Sequence, residues 1–184
     1  RGRPILLAAR TPVRRTTCLH VGIDVGEWLK EDLVDLLSPG VGDAPFTMPY
    51  AEAVRLGHAY NVPVYPTVGA TGLRGRYGST GAWMSGGMEI EEQLEDGFRA
   101  QFGSVEAWRG AASNAWQAGA DGICLYNLFP KDANHPVFVS VGEQETLNGL
   151  NKIFAVDNRR EYYGGIRQGL EQEALLPINL DYPG

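Results

Sequence analysis

The chain has 184 residues but only two cysteines, Cys18 and Cys124, and three histidines, His20, His58 and His135. Two cysteines do not make a disulfide framework, and neither has a partner at the close spacing of a zinc site. Cys124 lies inside an apolar run and reads as a buried small hydrophobe. The histidines are far apart, and none has a second ligand one helical turn away, so no metal is expected. No apolar run is long enough to cross a bilayer, so no membrane insertion is expected. Positive charge is scarce: Lys and Arg total 16 against 22 Asp and Glu, a net charge of -6. The basic residues form only local pairs, such as Arg14-Arg15 and Arg159-Arg160, and no stripe that would suit a nucleic acid. Phosphate-cradling glycine signatures and the GxSxG elbow are missing, and no cofactor is expected. Lys30, Lys131 and Lys152 fall in helices or loops, which disfavours a Schiff-base aldolase. The opening "RGRPILLAAR" has too short an apolar run for a signal peptide and starts on Arg1 rather than Met. A cleavage before Arg1, or a longer parent chain, is expected.

What is present is an ordinary globular balance, 43% apolar and 21% charged, in a chain long enough for one real core. Four short apolar runs recur: "PILLAAR", "LVDLLSPG", "VPVYPTVG" and "GADGICLYNLF". Runs of this length suit parallel strands buried on both faces. Helical patterns lie between them. In "DVGEWLKED", Asp24 is the expected N-cap, and Val25, Trp28 and Leu29 share a face. "MPYAEAVRLGHAYN" predicts a helix that Asn61 closes before Pro63. "SVEAWRGAASNAWQAGA" is the clearest helix, with small Ala111, Ala115 and Ala118 for close packing and Gly119 as its stop. The order is β-α-β-α-β-α-β, and helical crossovers imply a parallel sheet. A polar helix, "MEIEEQLEDGFRAQF", is predicted inside the third crossover, and "GEQETLNGLNKIFAVDN" predicts one more helical segment. The third crossover also carries the glycine-rich "GATGLRGRYGSTGAWMSGG", either a loop folded over a site or a surface excursion.

Four segments carry a family resemblance: "GIDVGEWLKEDLVDLLSPG", "YAEAVRLGHAYNVPVYPTVG", "WRGAASNAWQAGADGICLYNLF" and "ETLNGLNKIFAV". They resemble the second half of the family-ten-like glycosyl-hydrolase proteins, from about Pro4 to about Asp157. The resemblance implies a (β/α)8 TIM barrel, extracytoplasmic and acting on polysaccharide, often followed by a β-rich domain. A complete barrel needs eight strands and about 250 residues. The expected fold is therefore α/β: a partial (β/α)8 barrel of parallel strands, a half barrel made of the last four βα units. Residues 1–157 would form that half, and residues 158–184 a post-barrel segment leading toward a further domain. The expected partners are a carbohydrate and the missing N-terminal half of the barrel. Two open strand edges, and an uncovered inner face rich in Leu6, Leu36, Val64 and Ile123, would favour self-association.

In such a barrel, ligands meet the C-terminal ends of the strands. Tyr126 and Asn127 stand at one such end, as an aromatic face beside an amide, which suits a sugar. Alternatively, Tyr126 fills the barrel mouth and Asn127 satisfies loop backbone. Arg10 ends the first strand and would hold a carboxylate or hydroxyl of a ligand, or else an ion pair of the rim. Trp83 offers the largest aromatic face in the long loop, and Asp132 and His135 follow the last strand. Glycoside hydrolysis needs two carboxylates. Many barrel glycosidases resemble one another in placing them after strands four and seven, but the seventh strand here ends on Thr67, Val68 and Gly69. Glu89, in the loop that follows, is the one candidate catalytic acid, and it equally suits the solvated start of a helix. Asp121 precedes its strand, at the end of a barrel that serves stability, Asp35 lies early in its strand and reads as a structural contact, and His58 reads as a surface or packing residue. The function expected is a glycoside-hydrolase-like barrel acting on or binding a polysaccharide. The alternative is a catalytically inactive carbohydrate-binding or scaffold module.

Overall fold

The structure is a computed structural model that describes residues 5–40, 48–69, 105–126, 128, 133–154, 161–163 and 166–168. The long glycine-rich crossover with Trp83 and Glu89 lies outside the described residues, as do Asn127, Asp132 and the predicted polar helix.

The described elements alternate as the apolar runs require. Strand β1 (Ala8–Thr11) is followed by helices α1 (Arg15–His20) and α2 (Val25–Lys30), then β2 (Leu36–Pro39) and α3 (Ala51–Ala59). Next come β3 (Thr67–Gly69), α4 (Val105–Gln117), β4 (Cys124–Tyr126) and α5 (Pro136–Val141). A single 3-10 turn covers Glu145–Leu147. A short hairpin, β5 (Glu161–Tyr163) and β6 (Ile166–Gln168), pairs antiparallel in the segment expected after the barrel.

Strands β1 and β2 pair parallel with Ala8 against Leu36 and Arg10 against Ser38. Strands β3 and β4 pair parallel with Thr67 against Cys124 and Gly69 against Tyr126. A parallel bridge between Leu37 and Val64 joins the two pairs, so the strands run β1-β2-β3-β4 in chain order. The ladders are shorter than the apolar runs, and in the run that holds β3 proline is the reason. Pro63 and Pro66 have no N–H to donate. They serve only as acceptors, from Leu37 N at 3.0 Å and Cys124 N at 2.9 Å. No closed barrel is formed among the described residues.

Local chemistry sets the helix ends. The Asp24 carboxylate accepts the Glu27 N–H at 3.1 Å and caps α2. Asn61 takes φ 57° after α3, and Gly119 takes φ 91° after α4, so both stops fall where the sequence puts them. Two helices depart from the sequence reading. Helix α1 forms with no side-chain cap, and α5 forms from "PVFVSV", a β-branched run. In α5 the His135 side chain accepts the Val137 N–H, and Pro136 sits in the first turn, where a missing N–H costs nothing. Of the helix expected in "GEQETLNGLNKIFAVDN", the described residues hold a 3-10 turn at Glu145–Leu147, after which Gly149 turns the chain at φ 70°.

Side chains alternate across a strand, so the register sorts the sheet into two faces. Leu37, Val64 and Val68, each no more than 1% exposed, lie on the helix side with Ala9, Ile123 and Leu125. There Leu37 and Val64 pack with Cys18, Val25, Leu29 and Val54. Val68 packs with Trp108, Ala111 and Ala112 of α4 and with Val137 and Val141 of α5. The small residues of α4 bring helix and sheet close, as the alanine pattern implies. The opposite face carries Ala8, Arg10, Leu36, Ser38, Thr67, Cys124 and Tyr126. This corrects two sequence expectations. Val64 and Ile123 belong to the helix side rather than to an uncovered inner face. Cys124 is only half-buried on the open face, whereas Cys18 is the buried thiol, 1% exposed. Ahead of β1, Ile5 and Leu6 are 78% and 76% exposed and extend an apolar edge.

Candidate functional site at the strand C-termini

The C-terminal ends of the four strands meet on the open face. Arg10 and Tyr126 come from β1 and β4, the outer strands of the order, separated by three strand spacings, roughly 14 Å across a flat sheet. The Arg10 guanidinium carbon nevertheless lies 4.7 Å above the centre of the Tyr126 ring. Two side chains from the outer strands meet this way when the sheet curls toward the face they share. The contact is a cation–π stack, worth about 0.5–1 kcal/mol where solvent reaches it. Arg10 is exposed and Tyr126 half-buried. Among the described residues Arg10 meets no carboxylate.

Beneath this pair, two hydroxyls bind β2 to β3. Ser38 Oγ and Thr67 Oγ1 are 2.8 Å apart, and Ser38 Oγ also donates to the Tyr65 carbonyl at 2.8 Å. The buried Tyr50 hydroxyl donates to the Thr67 carbonyl at 2.7 Å. Both hydroxyl residues are nearly closed to solvent, so these bonds fix the strand ends rather than reach for a ligand. Gly40, after β2, takes φ 140°, and a Cβ there would lie 2.6 Å from Thr67 Cβ. Only glycine fits between these strand ends. Sequence reasoning missed Ser38, Thr67 and Tyr50. The available signal was a small hydroxyl residue near the end of two successive apolar runs, "LLSPG" and "YPTVG".

Of the remaining candidates, His135 is described. His135 is taken up as the cap of α5, its Nδ1 accepting the Val137 N–H at 3.3 Å, with its ring edge-on to Phe138. No described contact brings it to Arg10 or Tyr126. Trp83, Glu89, Asn127 and Asp132 lie outside the described residues.

The N-terminal ends of the strands hold carboxylates in a repeated arrangement. Asp35 N donates to Leu7 O at 2.8 Å, and Leu7 N donates to Asp35 Oδ2 at 2.9 Å. Asp121 N donates to Val64 O at 2.9 Å, and Val64 N donates to Asp121 Oδ2 at 2.7 Å. Each aspartate thus clamps its own strand to the start of a neighbouring one. Asp121 Oδ2 also meets His58 Nε2 at 2.8 Å, which ties α3 to the lead-in of β4. Partial burial raises the Asp121 pKa, but the Val64 N–H, then the His58 hydrogen bond and charge, outweigh it, and the net shift is downward. These acids stabilise the end of the sheet opposite the rim, as the sequence implies.

Burial pushes the Cys18 thiol up to about 11, and it donates to the Pro12 carbonyl, which makes it unreactive. Beside it a cavity of about 10 Å³, lined by Thr11, Arg15 and Glu52 among others, has room for one water and lies on the helix side. Among the described residues no three His, Cys, Asp or Glu side chains group as metal ligands. No described helix is long and apolar enough to cross a membrane. No protein-family model matches the chain, and no curated protein is significantly similar to it.

Proposed function

We propose that the chain is the C-terminal half of a glycoside-hydrolase-like barrel and binds a carbohydrate at the rim formed by the strand C-termini. The observation that carries the reading is the Arg10–Tyr126 stack, an aromatic face and a polar head converging at the ligand-binding end of parallel strands. A sugar presents apolar C–H faces and a belt of hydroxyls, which a ring and nitrogen donors match. Asn127, Asp132 and Trp83 extend the same rim in this reading, and Glu89 is its candidate acid. The exposed edge at Ile5 and Leu6 would be covered by the other half of a barrel or by a second copy.

Binding without hydrolysis is the second reading, and one observation favours it. Strands β1 to β4 end on Thr11, Pro39, Gly69 and Tyr126, none of them acidic, and the strand-bound aspartates Asp35 and Asp121 sit at the opposite end. The test is titration calorimetry against a polysaccharide panel, with reducing-end release read in the same samples. Tyr126→Ala is expected to weaken binding by about fivefold, near 1 kcal/mol, with little change in melting temperature. Unchanged affinity with a large loss of stability would make Tyr126 structural. Reducing-end release by the wild-type chain would favour the hydrolase over the binding module.

A further inference from the structure

We infer that the rim selects an anionic saccharide, with Arg10 receiving the sugar carboxylate and Tyr126 holding Arg10 ready for it. The inference rests on the reading of the rim as a sugar site and adds the class of sugar. Among the described residues the Arg10 side chain meets no carboxylate, and the contact the structure gives it is with the Tyr126 ring.

That contact leaves the chemistry of the guanidinium open. Stacking uses the flat face of the group, while its five N–H donors lie in the plane and point away from the ring. The planar fork matches a carboxylate with two parallel hydrogen bonds, a stronger and more directional contact than a sugar hydroxyl offers. The stack also restricts a long side chain before any ligand arrives, which lowers the entropy lost on binding. Among the described residues, the neighbouring polar groups do not compete. Ser38, which pairs with Arg10 across the β1–β2 register, spends its hydroxyl on Tyr65 O and Thr67 Oγ1. The two strand-bound aspartates, Asp35 and Asp121, sit at the far end of the sheet. The rim therefore presents a positive head on an aromatic seat, and a uronic acid offers both a carboxylate and an apolar ring face to it.

The test is titration calorimetry of the full chain at low salt. The probes are oligosaccharides of galacturonate, of glucuronate and of mannuronate, each beside its carboxyl-reduced neutral counterpart. At least one acidic probe is expected to bind about tenfold tighter than its neutral counterpart, the scale of one charge-assisted pair. Arg10→Gln is expected to cost the acidic probe about tenfold and its neutral counterpart markedly less, so that the preference is lost. Arg10→Lys, which keeps the charge and stem but not the fork, is expected to lose most of the preference, and it decides the matter if Arg10→Gln proves unstable. Equal binding of acidic and neutral probes, or a preference that survives both substitutions, would overturn this inference and leave the sugar reading intact. No binding by any probe would overturn both.

Discussion

Asp121 shows how one side chain divides the molecule into a stabilising end and a binding end. Its carboxylate takes two donors, Val64 N–H and His58, and its pKa is held below the usual carboxylate range. A depressed folded pKa gives stability that is present above the unfolded value of about 3.9 and lost as pH falls through the folded value. Asp121→Asn keeps an acceptor for Val64 N–H but drops the charge. At neutral pH the variant should be less stable than wild type, by at most about 1 kcal/mol because the pair is part-exposed. The gap should close below about pH 4. Denaturant midpoints at pH 7 and pH 3 check this, and a gap that widens on acidification would remove Asp121 as a charged clamp. The sequence places Asp121 and Asp35 correctly at strand starts, because position along a strand is local information. Which N–H each carboxylate takes depends on the partner strand's register, which no single run encodes. The same holds for the Ser38–Thr67 pair and for Arg10 over Tyr126.

Among the elements, those governed by their own residues were legible, and those governed by packing were not. The Asp24 cap and the Asn61 and Gly119 stops are short-range chemistry, and they stand where the sequence puts them. Helix α5 goes against the β-branched content of "PVFVSV", because Val137 and Val141, one helical turn apart, both enter the core beside Trp108. Tertiary burial outweighs a propensity difference of less than 1 kcal/mol per residue. Gly57 in α3 poses the same contest in reverse. Alanine there would raise helix propensity by about 1 kcal/mol. Yet a Cβ would run into Val64 Cγ2 and stand 2.9 Å from the Val62 carbonyl. Val64 is fully buried and the carbonyl is backbone, so neither gives way easily. Overpacking of this kind costs about 1–3 kcal/mol, and Gly57→Ala should destabilise the chain despite the better helix. Urea midpoints decide the sign, and a stabilised variant would mean that α3 sits farther from the sheet than the contacts imply.

At the scale of the molecule, strand direction was legible from the β-α alternation alone, since crossovers containing helices leave only parallel neighbours, whereas strand order rests on the observed pairings. The distinction between faces was only partly legible. Continuous apolar runs conceal which alternate residue points inward, and Val64, Ile123 and Cys124 were misplaced for that reason. The face opposite the helices carries the rim, and the account stands on that rim meeting the ligand. The most direct measurement is a nuclear magnetic resonance titration of the isotope-labelled chain with the tightest-binding oligosaccharide of the panel, following backbone amides and the Arg10 Nε–H. The account predicts that shifts concentrate at Arg10, Thr11, Gly69 and Tyr126, while Leu7, Asp35, Val64 and Asp121 stay still. Shifts centred on the Leu7–Asp35 and Val64–Asp121 end would contradict it.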